Sequence, residues 1–316
     1  MPFEHAPRLC LGTGGFGTSI RRDDAFALMD AHREAGGTAL DTAHVYGAWE
    51  PGCDGASERI VGQWLRDRGC RRDFLLSTKG AHPPLDRLDA HRVRPECIDQ
   101  DLAESLERLQ VDHVDVYWLH RDDPAVPVGE LVDCLEAHAA AGTIKRHGIS
   151  NWTAPRLWAF HEEVQRRGAL ARFAGNQVGF SLAHGPDGPT PLGTRWVDQA
   201  THDFHARSQA PCWAYSPQAG GFFMNDSREA PPGKEAFAWA WERAENFRRR
   251  DAARRIARAN GTDANAVALA WLLGRPFPVT AVVGCRTPEQ ARASLAAASL
   301  RLSAAELQEL APTTGP

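Results

Sequence analysis

The chain has 316 residues, is 43% hydrophobic and 24% charged, and carries a formal net charge of −4 with a pI near 6.4. That is ordinary globular composition, long enough for two average domains or one large α/β barrel, and its charge offers no basic footprint for a nucleic acid. The start MPFEHAPRLC has no apolar core of a signal peptide and no run of 18 apolar residues occurs, so neither secretion nor a membrane span is expected; seven scattered cysteines without a C-x-x-C fit reduced thiols of a cytoplasmic protein, not a disulfide framework or a zinc site.

In chain order, a first apolar run at residues 9–11 leads into LGTGGFG, where Gly12, Gly14 and Gly17 spell G-x-G-x-x-G. That pattern marks a dinucleotide-binding Rossmann turn, and Asp41 even lies at about the right distance beyond it. In a Rossmann unit, however, the third glycine already lies in the helix. Here the helix signals, Asp23 and Asp24, arrive only after residues 18–22, so the run reads as a strand exit followed by a loop.

The spacing predicts a helix to about residue 36, a strand at 38–40 and a helix at 57–68. A strand at 74–77 follows, then a helix carrying Pro95 and Glu96 in its first turn. Next come a strand at 114–119, a helix ending at Gly142, a strand at 144–149 and a helix at 153–167. A weaker strand at 172–176 precedes a long irregular stretch, about 179–210, which holds a helix around 196–207. Long loops of this kind are usually functional. A strand at 212–214, a helical region at 234–273, a strand at 279–283 and the capping box Ser303–Glu306 complete the chain. The arginines at 248–250 and 254–255 read as a solvated helix face. Eight strand–helix units predict one (β/α)8 barrel domain over residues 1–316.

In such a barrel the active site is built where the strands end. Strand two ends in ALDTAHVYG, strand three in LLSTKG and strand four in VYWLHRDD, which brings Asp41, Tyr46, Lys79 and His120 to one mouth. Lys79 is one of only three lysines in the chain, and arginine is a poor substitute for a compact ammonium beside a phenol. A phenol titrates near about 10, and an adjacent ammonium favours its ionised form. A carboxylate would hold that ammonium charged, so the tyrosine can act as general acid on a carbonyl oxygen that His120 orients. This set suits hydride addition to a carbonyl from a bound nicotinamide. Tyr-x-x-x-Lys, the short-chain dehydrogenase signature, is absent: four residues after the three tyrosines stand Glu50, Arg121 and Ala219.

Together with GISNW, NQ, AYSP and VVGCRTPEQ, these segments occur in an order that resembles the aldo-keto reductase family from about residue 9 to 300. The resemblance implies a catalytic tetrad of Asp41, Tyr46, Lys79 and His120. It places Ser150, Asn151 and Gln177 on the nicotinamide carboxamide and Tyr215 on its ring. Ser216, Pro217, Gln218 and Gly220 would lie over the pyrophosphate, with Gly14 also on the cofactor side. Gly284, Cys285, Arg286 and Gln290 would contact the adenosine 2′-phosphate and adenine, giving NADP(H) as cofactor. Ala293 and Ser294 stand where the family often has Glu and Asn, so NAD(H) stays open beside it. Too few residues precede strand one for the family's hairpin across the barrel floor, and the long C-terminal loop is missing, so an open pocket is expected, with Trp49 and Trp152 as walls.

The expected partner is a small carbonyl or alcohol substrate, with no nucleic acid, membrane or metal; His202 and His205 in HDFH lack the spacing of a helical metal pair. Two alternatives share the architecture: a nicotinamide-binding regulatory barrel with little turnover, and a lyase using Lys79 as a Schiff base.

Overall fold

The computed structural model describes residues 6–311, and within them the chain alternates strands and helices around a closed barrel. In order these are β1 (Leu9–Gly12), α1 (Arg22–Glu34), β2 (Ala39–Asp41), α2 (Ala56–Asp67), β3 (Leu75–Gly80), α3 (Pro95–Leu109), β4 (Val114–Leu119), α4 (Val128–Ala141), β5 (Ile144–Ser150) and α5 (Ala154–Arg166). They continue with β6 (Phe173–Gly179), α6 (Gln199–Ser208), β7 (Cys212–Tyr215), α7 (Ala244–Ala259), α8 (Ala264–Leu273), β8 (Val279–Val283), α9 (Pro288–Ala297) and α10 (Ala304–Leu310). All eight strands pair in parallel in sequence order, and β8 closes on β1 through Leu9↔Ala281 and Leu11↔Val283. The (β/α)8 expectation is met.

Local signals act where the chain places them. Pro95 opens α3, Gly142 ends α4 at φ +81°, and both halves of the Ser303–Glu306 capping box form. Gly17 is not part of a helix: it has φ +81°, and a Cβ there would meet the Ala56 Cβ at 2.5 Å. The glycine run is therefore a loop folded onto the start of α2, as the late helix signals required.

Three features differ from the sequence reading. The helical region at 234–273 is a 3-10 segment (Glu235–Trp241) followed by α7 and α8, parted near Gly261 at φ +63°. Trp196 lies before α6 and bridges to Gly179 instead of entering the helix. Arg249 and Arg250 are buried, not solvated: Arg249 donates to the Leu182 carbonyl, Arg250 to those of Asn225 and Ser227. Helical periodicity fixed their spacing, but these guanidiniums face inward because two long loops needed donors for their carbonyls. The expected loss of a floor hairpin and of a C-terminal loop concerns residues outside those described.

Alternation along the strands sets the barrel interior. Cys10, Ala39, Val116, Trp118, Ala174, Trp213 and Val282 form one buried cluster, with the indoles of Trp118 and Trp213 edge to face at 5.3 Å. One step further along the same inward rows stand Asp41 after Ala39, His120 after Trp118 and Tyr215 after Trp213. The polar site is thus the top layer of an aromatic plug.

Two glycines make this packing feasible. A Cβ on Gly148 would lie 2.2 Å from Cζ3 of Trp118, so only glycine admits that indole. In β6, residues 173–176 pair against 147–149 of β5, one residue more than their partner, with Gly175 at φ +100° as the extra residue. The bulge changes the parity of the strand and turns Gln177 inward. Gly148→Ala is expected to lower unfolding stability by about 1–3 kcal/mol through overpacking, read as a shifted urea midpoint with unchanged slope. An unshifted midpoint would show that Trp118 has room to move.

Candidate active site

Lys79 and Asp41 lie at the centre of the top layer, each about 1% exposed. The ammonium donates to Asp41 Oδ2 at 2.6 Å, to the Thr42 carbonyl at 2.6 Å and meets Tyr46 Oη at 3.1 Å, which uses all three of its protons. The other carboxylate oxygen accepts from Ser77 Oγ at 2.5 Å and Gln177 Nε2 at 3.0 Å. Burial opposes the charge on Lys79, but the Asp41 carboxylate and the Tyr46 phenol outweigh it and hold its pKa above the ordinary value.

Tyr46 comes from the loop after β2. Gly47 has φ +104°, and a Cβ there would stand 2.1 Å from the Cys53 carbonyl, so the loop can fold this tightly only with glycine. Gly14 lies under the phenol ring, where a Cβ would be 3.8 Å from Cε2, and Trp49 packs edge-on against it at 6.1 Å while staying 47% exposed. Trp49 thus borders the mouth. Trp152 does not: it is 1% exposed, donates Nε1 to the Arg121 carbonyl and packs on Phe160. The sequence makes it a wall of the pocket, but the left-handed turn at Asn151 (φ +65°) precedes an indole that lies in the core.

His120 continues β4, its amide bonded to the Gly80 carbonyl at 2.9 Å. Its ring stands edge-on to Tyr46 at 6.1 Å and to His82 at 4.9 Å. Burial first, then the charges of Arg121, His82 and Lys79, push its pKa well below 6.5, so the imidazole is neutral at physiological pH. Neither ring nitrogen has a protein partner among the described residues. His82 is likewise pushed down to about 4, chiefly by burial.

The expected cofactor-side residues gather on the adjoining strands. Ser150 Oγ donates to the Gln177 carbonyl at 2.7 Å, and Asn151 Nδ2 reaches Ser150 Oγ and the His120 carbonyl. Asn151 Oδ1 accepts from the Arg195 amide at 3.0 Å and pairs with Tyr215 Oη at 2.8 Å. Gln177 therefore links Ser150 directly to Asp41. Burial raises the Tyr215 phenol well above its ordinary pKa, so it stays protonated.

After β7 the backbone turns through left-handed conformations at Ser216, Ala219, Gly220 and Gly221, with Pro217 buried beneath and Gln218 at the start of the turn. Lys234 Nζ donates to the Gly220 carbonyl at 2.5 Å. After β8, Gly284 is exposed, and a Cβ there would meet nothing within 4 Å. Cys285 turns inward, 3% exposed, with burial pushing its thiol up to about 11. Arg286 is exposed, and its amide is clamped by Gln290 Oε1 at 2.8 Å.

Sequence reasoning missed His82, Arg121, Arg195 and Lys234. Lys234 had the same signal that singled out Lys79, being one of three lysines. In HDFH, His205 bonds the Ala210 carbonyl through Nδ1 and its ring stacks on Phe277. Far from the mouth, Asp99, Cys134 and His138 place donor atoms within 4.8 Å of one another, with His138 bonded to Asp99 at 2.8 Å. Among the described residues no helix is long and apolar enough to cross a membrane.

The model of the "Aldo/keto reductase family" matches residues 8–312. The "Uncharacterized oxidoreductase YrpG" of Bacillus subtilis is 28% identical over 93% of this chain and 88% of its own. The "Uncharacterized oxidoreductase Rv2298" of Mycobacterium tuberculosis is 30% identical over 92% of this chain and 81% of its own. Among solved structures, the aldo/keto reductase from Klebsiella pneumoniae in complex with NADP and acetate superposes with a TM-score of 0.71 at 24% identity, covering 98% of this chain and 94% of that one. The chain belongs to the aldo/keto reductase family, and thereby to the NAD(P)H-dependent oxidoreductases.

Proposed function

We propose that the protein reduces an aldehyde or ketone with NADPH, or runs the reverse alcohol oxidation, with Tyr46 as the proton donor. The observation that carries this reading is the fully engaged Asp41–Lys79–Tyr46 chain beside an unpartnered neutral His120. A bound reduced nicotinamide supplies the hydride to the carbonyl carbon. Tyr46 gives its proton to the carbonyl oxygen as charge builds there, and the Lys79 ammonium at 3.1 Å stabilises the phenolate that remains. His120, uncharged, hydrogen-bonds the same oxygen without adding a second positive charge next to Lys79. A Schiff-base role needs a free amine, whereas Lys79 is held protonated with every proton committed.

The residues present fit the cofactor. The Arg286 guanidinium is exposed and has no partner among the described residues, and Lys234 lies close enough to lose basicity to it, after the larger effect of burial. Arg286, just before the amino end of α9, with the Lys234 ammonium coupled to it, suits a 2′-phosphate. The open space at Gly284 leaves a path across the β8 exit. In support, the solved Klebsiella pneumoniae relative was crystallised with NADP.

Tyr46→Phe should lower hydride transfer by about two orders of magnitude, with NADPH affinity near that of the parent. Stopped-flow single turnovers and tryptophan quenching read the two quantities, and full activity in the variant would contradict the proton-donor role. Arg286→Ala should weaken NADPH by about tenfold or more and leave NADH little changed; equal losses would remove the 2′-phosphate contact. Because His120 stays neutral far below 6.5, reduction should not fall as pH drops from 8 through 6.5. A fall centred near 6.5 that disappears in His120→Asn would show a charged imidazole.

A further inference from the structure

One part of the mouth has no ligand under the reductase reading. Between the loops after β3, β4, β5 and β6 lies a cavity of about 300 Å³ bordered by Pro83, Leu88, Arg121, Asn151, Leu192 and Arg195. It adjoins the catalytic face. Arg121 follows His120 and donates Nη1 to its carbonyl at 2.8 Å, while the Arg195 backbone is tied to Asn151 and Tyr215.

Neither guanidinium there has a counter-ion among the described residues. Arg121 donates to the His120 and Leu192 carbonyls, which uses two of its five N–H groups, and it forms no ion pair among the described residues. Gly193 leaves its Nε edge uncovered, since a Cβ there would sit 3.5 Å away. The Arg195 side chain has no hydrogen bond or ion pair with any described residue. The nearby carboxylates are engaged: Asp122 holds Arg156 Nε and Nη2 at 2.8–3.2 Å, and Asp123 accepts from the Ala125 amide. His91 adds a further donor at the rim. Burial lowers the Arg121 pKa, opposed only by the phenols of Tyr215 and Tyr46. A half-buried cation with spare donors and no anion is an energetic debit that a ligand anion would relieve.

We propose that this cavity is an anion subsite of the active site and that the substrate is a carbonyl compound carrying a carboxylate. Arg121 and Arg195 grip the carboxylate while the carbonyl oxygen rests on Tyr46 and His120. The planar guanidinium fork matches a carboxylate, and Pro83, Leu88 and Leu192 face the carbon skeleton between the two ends. The carbonyl end of this inference rests on the reductase reading; the anion end does not.

The test compares 4-carboxybenzaldehyde with 4-nitrobenzaldehyde, which differ in charge and little in shape. The protein should favour the carboxylate by about tenfold or more in kcat/KM, the effect of a charge-assisted pair. Arg195→Gln should erase most of that ratio through KM, and Arg195→Lys should keep much of it. Because the nitro group also activates its carbonyl, the deciding quantity is the change in the carboxylate-to-nitro ratio of kcat/KM: a ratio that Arg195→Gln leaves unaltered overturns the subsite. A readout free of turnover is calorimetric titration of terephthalate with NADP present: binding is expected, about tenfold weaker in Arg195→Gln. Reduction of 4-nitrobenzaldehyde without terephthalate binding removes the subsite and leaves the reductase reading. Terephthalate binding with neither aldehyde turned over supports the subsite and removes the reductase reading.

Discussion

The Lys79–Asp41 pair is the interaction on which the site depends. Both groups are almost wholly withdrawn from water, and a buried charge of either sign alone costs several kcal/mol (on the order of 3–5 when one partner is removed). The barrel meets that cost with geometry. Lys79 spends its three protons on Asp41, Thr42 and Tyr46, and Asp41 fills its second oxygen with Ser77 and Gln177. The arrangement contributes little that an apolar layer could not match for stability. What it adds is a fixed positive charge at hydrogen-bond distance from a phenol, in a place where water cannot screen it.

The rest of the architecture serves that charge. Inward alternation on β2, β3 and β4 delivers Asp41, Lys79 and His120 to the same level, and the Trp118–Trp213 plug below denies them room to sink. The loop after β2 returns Tyr46 over Lys79 because Gly47 permits its tight turn. Two buried arginines of α7 tie down the loops after β6 and β7 through the Leu182, Asn225 and Ser227 carbonyls.

The barrel, and the meeting of Asp41, Tyr46, Lys79 and His120 at one mouth, were legible because strand exits collect polar side chains, and Asp, Tyr, Lys and His are conspicuous where consecutive apolar runs end. The direction of Gln177 was not, since it depends on a bulge at Gly175 that strand periodicity would count as a defect. Arg249 and Arg250 looked solvated because composition cannot show which loop carbonyls lack donors. Trp152 is no wall of the pocket because the left-handed residue Asn151 precedes it and its indole lies in the core, which spacing along the chain does not show. Arg121 and Arg195 went unread for a related reason: a cation is informative only once the absence of its counter-ion is seen.

The most direct test of this account is Asp41→Asn, followed by single-turnover hydride transfer from NADPH to 4-nitrobenzaldehyde across pH, with NADPH affinity measured in parallel. With the carboxylate gone, burial acts on Lys79 unopposed by that charge and its pKa falls. The account predicts cofactor affinity close to the parent's and a rate that declines as pH rises through the lowered lysine pKa, while the parent shows no such decline over the same range. A variant that transfers hydride at the parental rate at every pH, with the fold intact, would contradict it.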